Sequence, residues 1–334
     1  MRYNLVYDSN RNLFGNPAGY GAVAYAYQIG KFEVTAGQYT TFLNAVAATD
    51  PYGLFFSGMA NPTGYQGCNI QRSGSPGTYI YTVPSDWANR PVNCVSWGCA
   101  ARFCNWVANG QPTGACDAST TEDGSYDLSG THAGFQYGPQ PNNPNSGGWS
   151  QENTALMAVT RKANAKYVIP TEDEWYKAAY YKGGGTNAGY WDYPTRSNTA
   201  PGGDMNDASG NNANNHTQNG PYPIDGISYH TVVGEFQNSA GPYGTFDQGG
   251  NVLEWNSAVV GDARSRGRGS RGGASNDSAI SDSAAERYAY APFYEQSNFG
   301  FRIVQIPEPA TLSLLALGGL AVLRRRYCVH SARR

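Results

Sequence analysis

Charge is what this chain of 334 residues has least of: only 14% of it is Asp, Glu, Lys or Arg. Of its 23 basic residues, five (Arg324, Arg325, Arg326, Arg333 and Arg334) sit at the C-terminal end, so 23 less 5 leaves 18 against 25 acidic residues, about −7. Phosphate binding needs a basic face, so this balance excludes a nucleic-acid partner. Histidine is equally scarce. His132, His216, His230 and His330 are scattered, with no metal-ligand spacing. No Cys-x-x-Cys occurs, and Cys94, Cys99 and Cys104, five apart, do not share one helix face, so no zinc site is expected. With Cys68 and Cys116 the body holds an odd number of cysteines, and at least one stays unpaired; Cys328 lies beyond the arginines. The start, Met1-Arg2-Tyr3-Asn4-Leu5-Val6-Tyr7-Asp8, has no apolar leader core. There is no exact internal repeat.

Gly, Asn, Ser and Tyr are abundant instead, which describes a turn-rich chain with short strands and long ordered loops. The apolar run Ala310–Leu323 stands alone, between Pro307-Glu308-Pro309 and Arg324-Arg325-Arg326. The prolines forbid a helix through the turn, so a helix over 310–323 begins after Pro309. It would cover about 20 Å, less than the hydrocarbon core of a bilayer. The arginines would remain cytoplasmic, which places the body outside the cytoplasm. This tail resembles the PEP-CTERM sorting signal of exported bacterial proteins. That resemblance implies recognition by exosortase-type machinery, at least transient membrane anchoring through the C-terminus, and residence in the cell envelope or extracellular matrix. Exopolysaccharide is a further expected partner. An exported chain needs a signal peptide, so the true start is expected upstream.

Along the body, residues 1–27 read as early strands and Tyr27–Thr35 alternates like another. Thr35 caps a helix over 38–48, with Tyr39, Phe42, Leu43 and Val46 on one face. Residues 50–90 read as loops. Ser96 caps a second helix with an apolar stripe of Trp97, Ala100, Ala101, Cys104 and Val107, stopped by Gly110. Residues 111–165 form a polar insert with a hairpin expected at Asp123-Gly124. Thr171 and Glu174 form a capping box for a third helix. Strands are expected near Gly250–Trp255, Arg271–Gly273 and Phe299–Val304.

Five segments stand in one order: Ile29–Thr35; Arg90-Pro91-Val92-Asn93 before Trp97; Ile169-Pro170-Thr171-Glu172-Asp173-Glu174-Trp175; Gly250-Asn251-Val252-Leu253-Glu254-Trp255; and Arg271-Gly272-Gly273 with Gly300-Phe301-Arg302. Together they resemble the formylglycine-generating enzyme, or sulfatase-modifying factor, family. The resemblance implies one α+β domain of C-type-lectin-like fold with little regular secondary structure over 20–305. An N-terminal segment 1–19 precedes it, and the sorting tail with its short hydrophobic helix occupies 306–334. Oxidases of that family use two cysteines, five apart, shortly after Arg-Gly-Gly, to bind copper and oxidise a substrate cysteine. Those positions hold Asp277 and Asp282, neither of which is a soft ligand for Cu(I), so copper and formylglycine formation are not expected.

The resemblance further implies structural calcium. One site would use the side chains of Asp247 and Glu254 with the carbonyls of Gly250 and Val252; a second would use Asn215 and Asp225 with the carbonyls of His216 and Ile227. Hard oxygen donors at tight turns suit Ca²⁺. Glu254 has an alternative in pairing with Arg302. Asp277 and Asp282 are the weak candidates for acid–base chemistry, against a role as solvated loop residues. The Arg264–Gly273 stretch looks like an RGG segment, yet an ordered, ion-paired loop is the favoured reading. Trp175, Tyr176, Tyr180, Tyr181, Tyr190, Trp191 and Tyr193 either line a sugar or peptide cleft or form core. The sequence thus favours an exported binding or structural module without oxidase activity, over an extracytoplasmic enzyme of altered chemistry.

Overall fold

The computed structural model describes residues 19–62, 67–131, 151–183, 189–216, 224–261 and 266–307. Helix α1 (Ala36–Val46) starts two residues earlier than expected, because Thr35 accepts from Gln38 N and the Gln38 side chain returns to the Thr35 N–H. Helix α2 (Trp97–Ala108) is capped by Ser96. The two pack through Tyr39, Phe42, Phe103 and Trp106, whose rings lie 5.3–6.1 Å apart in tilted, stacked and edge-to-face pairs. Helix α3 (Gln151–Ala158) was not visible as a periodic segment, since it carries little amphipathic pattern. Helix α4 (Glu172–Tyr180) has the full Thr171–Glu174 capping box, with three acidic residues in its first turn favouring the helix dipole.

Strand is scarce and split among small sheets. Strand β1 (Gln28–Ile29) pairs with β9 (Val304–Gln305), which also pairs with β4 (Tyr167–Val168). The two ends of the described body therefore meet in one sheet. A separate hairpin joins β2 (Gln71–Ser73) to β3 (Ile80–Thr82). The largest sheet has the order β7-β6-β5-β8, formed by β5 (Leu253–Gly261), β6 (Arg266–Arg271), β7 (Tyr288–Tyr290) and β8 (Phe299–Gly300). Only the β5–β8 pairing is parallel, and β5 is irregular between Trp255 and Val259.

Several expectations change. Residues 19–27 form no strand; Tyr25 and Tyr27 instead donate their hydroxyls to the Glu174 carboxylate and carbonyl, each at 2.6 Å. The 50–90 stretch is not all loop, since it holds the β2–β3 hairpin and a 3₁₀ turn over Ser57–Ala60. No hairpin forms at Asp123-Gly124. The buried Asn105 side chain there takes the place of a partner strand, bonding Thr121 O, Tyr126 O and Tyr126 N at 2.8–3.0 Å. The hydrophobic segment 310–323 lies outside the described residues, among which no helix is long and apolar enough to cross a membrane.

Within the Arg-rich stretch, Arg266–Arg271 form strand β6. Arg268 is buried, stacks on Trp97 at 3.9 Å, and donates to the carbonyls of Leu156 and Val159 at 2.6 Å and of Ser257 at 2.8 Å. It thus serves the C-terminal carbonyls of α3, which have no partner within the helix. Burial lowers its pKa to about 10. Arg268→Met keeps the apolar stem but strands these carbonyls. Urea unfolding is expected to show a loss of about 3 kcal/mol, since each orphaned buried polar group costs roughly 1–3 kcal/mol. An unchanged midpoint would contradict this role.

Candidate functional site

Two glycine turns clasp each other where the family resemblance places its chemistry. Gly250 has φ +80°, and a Cβ there would lie 2.2 Å from Asn214 O, so only glycine fits. Its N–H donates to Gly272 O at 2.8 Å, joining the Gly250 turn to the Arg271-Gly272-Gly273 turn. Asp282 sits under this clasp. It is fully buried, and its Oδ2 accepts from Asn215 Nδ2 at 2.9 Å while Oδ1 has no donor. Its carbonyl accepts from Tyr180 Oη at 2.9 Å. Burial, and then the nearby Asp277 charge, push its pKa well above the usual carboxylate range. Asp277 is partly buried; its carboxylate accepts from Ala274 N at 3.1 Å and its carbonyl from His216 N at 2.8 Å. Burial raises its pKa too.

The structure therefore brings together Asn215, His216, Asp277 and Asp282. Neither Asp is a freely solvated loop residue. Asp282 presents none of its surface to solvent in this structure. The oxygen donors here do not fit a thiolate copper centre. Cys68, Cys94, Cys99, Cys104 and Cys116 all lie in the main core cluster, whereas the ground beneath the Arg271 turn is a second cluster built on Trp175, Tyr176, Tyr180 and Tyr190.

Beside the clasp lies a buried charge cluster. Arg302 holds Glu254 in a two-point pair, Nε to Oε2 at 2.6 Å and Nη2 to Oε1 at 2.5 Å, while Trp175 Nε1 donates to Oε2 at 2.7 Å. Both Glu254 oxygens are engaged. Asp247, with φ +59°, accepts from Gly234 N at 2.5 Å. Its neighbour is Glu33, which is 2% exposed and has no donor to either oxygen. Burial pushes Asp247 up to about 6, and burial together with Asp247 pushes Glu33 well above its usual value. Glu33 and Asp247 offer hard oxygen donors, with Gly250 and Val252 buried on the adjoining turn, but Glu254 is taken by Arg302 and no group of three or more Asp, Glu, His or Cys among the described residues could hold a metal ion. The sequence reading missed Glu33. Its one signal was an acidic residue next to core-facing Val34 in a short strand-like segment.

The other proposed oxygen set has its halves tied to different partners. Asn215 bonds Asp282, whereas Asp225 Oδ1 accepts from Ile227 N at 2.9 Å and Ser228 N at 3.0 Å, and its Oδ2 pairs with Arg90. Arg90 also donates to the carbonyl of His230, which is buried.

The aromatic residues divide. Trp175, Tyr176, Tyr180 and Tyr190 form a core cluster with Tyr181 at its rim; Tyr193 is also buried, and Trp191 is half-buried. At that rim Tyr243, 54% exposed, stacks on Tyr181 with centroids 6.3 Å apart and planes 14° from parallel. Tyr25, 42% exposed, lies edge-on to Tyr27. Lys177 sits 5.8 Å over the Tyr181 ring and Lys182 4.3 Å over Trp191.

Burial, aided by Arg90, lowers His230 from 6.5 to about 4. An unfolded histidine takes up its proton at higher pH than this folded one, so the neutral form stabilises the fold. That contribution is complete above pH 6.5 and disappears as pH falls to about 4. The difference in unfolding free energy between wild type and His230→Gln is expected to shrink by about 1.4 kcal/mol per pH unit across that window. Parallel pH profiles of the two proteins would contradict it.

A family model of the sulfatase-modifying factor enzyme 1-like domain matches residues 6–306, and one of the PEP-CTERM protein-sorting motif matches residues 305–326. No curated protein sequence matches the chain. Among solved structures, the crystal structure of CarF is similar over 92% of this chain and 93% of its own, with TM-score 0.50 and 19% identity, a likeness of fold alone. Treponema denticola variable protein 1 covers 92% of each chain at TM-score 0.48 and 21% identity. PvdO from Pseudomonas aeruginosa covers 87% of this chain and 85% of its own at TM-score 0.44 and 14% identity. With its α+β, C-type-lectin-like fold of low regular secondary structure and the clasped Gly250 and Arg271 turns, the chain belongs to the sulfatase-modifying factor enzyme 1-like family, and it ends in a PEP-CTERM sorting motif.

Proposed function

We propose that this protein is an exported binding module of the cell envelope or extracellular matrix, built on the formylglycine-generating-enzyme scaffold but without that oxidase activity. The observation that carries the proposal is the replacement of the thiol pair by Asp277 and Asp282, one of them sealed beneath the glycine clasp. Cysteine oxidation needs a thiolate–copper pair, and two carboxylates cannot provide it. The sorting motif supports export and handling by exosortase machinery, with the tail holding the protein at the membrane at least transiently. The ligand surface is the tyrosine rim. Flat, exposed aromatic faces with hydroxyls, bordered by Lys177 and Lys182, suit the CH faces and oxygens of an extracellular polysaccharide. Calcium is structural, held at the Glu33–Asp247 corner, where it would neutralise two buried carboxylates.

Two measurements test this. The full chain in detergent, given copper, oxygen and a thiol peptide, is expected to form no aldehyde by mass spectrometry; steady aldehyde formation would reverse the assignment. Titration with envelope polysaccharide, followed by Trp and Tyr fluorescence, is expected to saturate. Tyr243→Ala should weaken binding about tenfold, or ~1.4 kcal/mol, without moving the unfolding midpoint.

Calcium removal supplies an independent prediction. Chelation should lower the Tm of wild type by several degrees at pH 7.5, whereas Glu33→Gln should respond far less. An identical response in both proteins would place the ion elsewhere.

A further inference from the structure

The β2–β3 hairpin is tied to the α1 region through Tyr81, which bonds the Asn44 side chain and Ala47 O. It forms its own two-stranded sheet, joined to neither of the larger ones. All three β2 residues are exposed, and in β3 only Tyr81 is buried. A two-stranded sheet is marginal by itself. Its flanks, however, begin and end at two buried sulfurs, Cys68 and Cys94, which are 2% and 1% exposed.

Both cysteines pack against the same 3₁₀ turn, Ser57–Ala60. Just before Cys68, Gly67 fits so closely that a Cβ would meet Gly58 O at 2.4 Å and Met59 O at 2.7 Å, and Ile70 N donates to Met59 O at 3.2 Å. On the other side, Cys94 Sγ lies 3.4 Å from where a Gly58 Cβ would be. The Asn93 N–H, immediately before Cys94, lies against the Cys68 sulfur, and Cys68 in turn adds to the cost of ionising Cys94; neither sulfur is in a disulfide in this structure. Cys94 is held in the left-handed region, φ +58°, with its N–H on Gln296 O at 3.1 Å and the Asn93 side chain on Ser297 O at 2.6 Å. The other sulfurs face different partners: Cys99 toward Glu295 Oε1 at 3.6 Å, Cys116 toward Val46 O at 3.2 Å.

We propose that Cys68 and Cys94 are joined by a disulfide in the mature protein, fastening the β2–β3 hairpin to the segment that leads into α2. The bond rests on the export reading above, because thiols pair lastingly in oxidising compartments. It is distinct from the copper-binding pair of the family's oxidases, whose positions hold Asp277 and Asp282. The chemistry is two-electron thiol–disulfide exchange. One cysteine thiolate attacks a carrier disulfide, of glutathione type or of a thiol oxidoreductase, and expels one carrier thiolate. The second cysteine attacks the resulting mixed disulfide and expels the other. Cys68 and Cys94 lose two protons and two electrons, and the carrier gains them as two thiols.

Burial pushes the Cys68 thiol up to about 11 and Cys94 well above its usual range. Both sulfurs are buried in the folded protein, so the bond is expected to form while the chain is folding.

The test is refolding of the full chain in a glutathione–glutathione disulfide buffer, then denaturation in alkylating agent and peptide mapping by mass spectrometry. The expected result is one cross-linked pair, Cys68 to Cys94, two mass units below its reduced form, with Cys99, Cys104 and Cys116 alkylated. The oxidised protein should lose Tm on reduction, and Cys68→Ser and Cys94→Ser should be equally insensitive to reductant. Full alkylation of all cysteines, or a link to any other cysteine, overturns the proposal. Refolding in vitro does not depend on where the cell sends the protein. A link found there but missing from mature protein isolated from its own cells would overturn the bond in the mature protein through the export reading on which it rests, whereas no link on refolding would overturn the pairing itself.

Discussion

The Arg302–Glu254 pair is the constraint around which the rest is arranged. Neither side chain touches solvent. Arg302 spends its remaining donors on the carbonyls of Gly30 at 3.0 Å, Lys31 at 3.4 Å and Phe246 at 2.9 Å, while Glu254 also receives Trp175. One ion pair thus ties the β1 region, the loop before the Gly250 turn, strand β5, helix α4 and the C-terminal edge of the body. Removing one partner of such a pair leaves an uncompensated buried charge, at a cost of about 3–5 kcal/mol. The geometry tolerates no substitute, because the guanidinium meets the carboxylate at two points and the backbone at three more.

Buried arginines repeat this device where regular ladders are missing. Arg102 joins Glu122 to Thr131 O, Arg268 collects the end of α3, and Arg271 joins Glu172 to the carbonyls of Ala284 and Glu286. A chain with so little strand has many backbone carbonyls outside any sheet. A buried carbonyl without a donor is costly, and one guanidinium can serve several at once. Asparagines do the same on a smaller scale: Asn105 orders the 121–126 turn, and Asn251 Oδ1 takes Asn214 and Thr231. The low overall charge is therefore no sign of weak electrostatics, since much of what charge there is has been placed inside.

The inward carboxylates then divide by whether a cation faces them. Glu254 and Glu172 are neutralised by arginine. Asp282 has only an asparagine, and Glu33 has no donor at all. A buried carboxylate without a counter-charge takes up a proton or a metal ion. At Asp282 the first outcome accords with its sealed position and raised pKa. At Glu33, burial and the neighbouring Asp247 raise the cost of ionisation, and the charge of Arg302 offsets it in part.

The sequence by itself makes legible the family, the three capped helices and the sorting motif, and the presence of Asp277 and Asp282 after Arg271-Gly272-Gly273. These depend on local features: Thr171 and Glu174 form a capping box within one turn, and Asp277 and Asp282 are read by counting from Arg271. It also named Arg302 as an alternative partner for Glu254, since both lie in recognisable motifs. Tertiary structure alone decided which carboxylates stand together. Glu33 meets Asp247 across more than two hundred residues, and Asn215 turns to Asp282 and not to Asp225. It likewise made Arg268 a core strand residue serving the end of α3, where the sequence favoured an ordered, ion-paired loop, and set Cys68 beside Asn93 across a hairpin the sequence read as loop. Long-range contacts of this kind leave no period or spacing in the chain, because each depends on how separate loops are folded against one another, and here loops outnumber the elements whose patterns can be read.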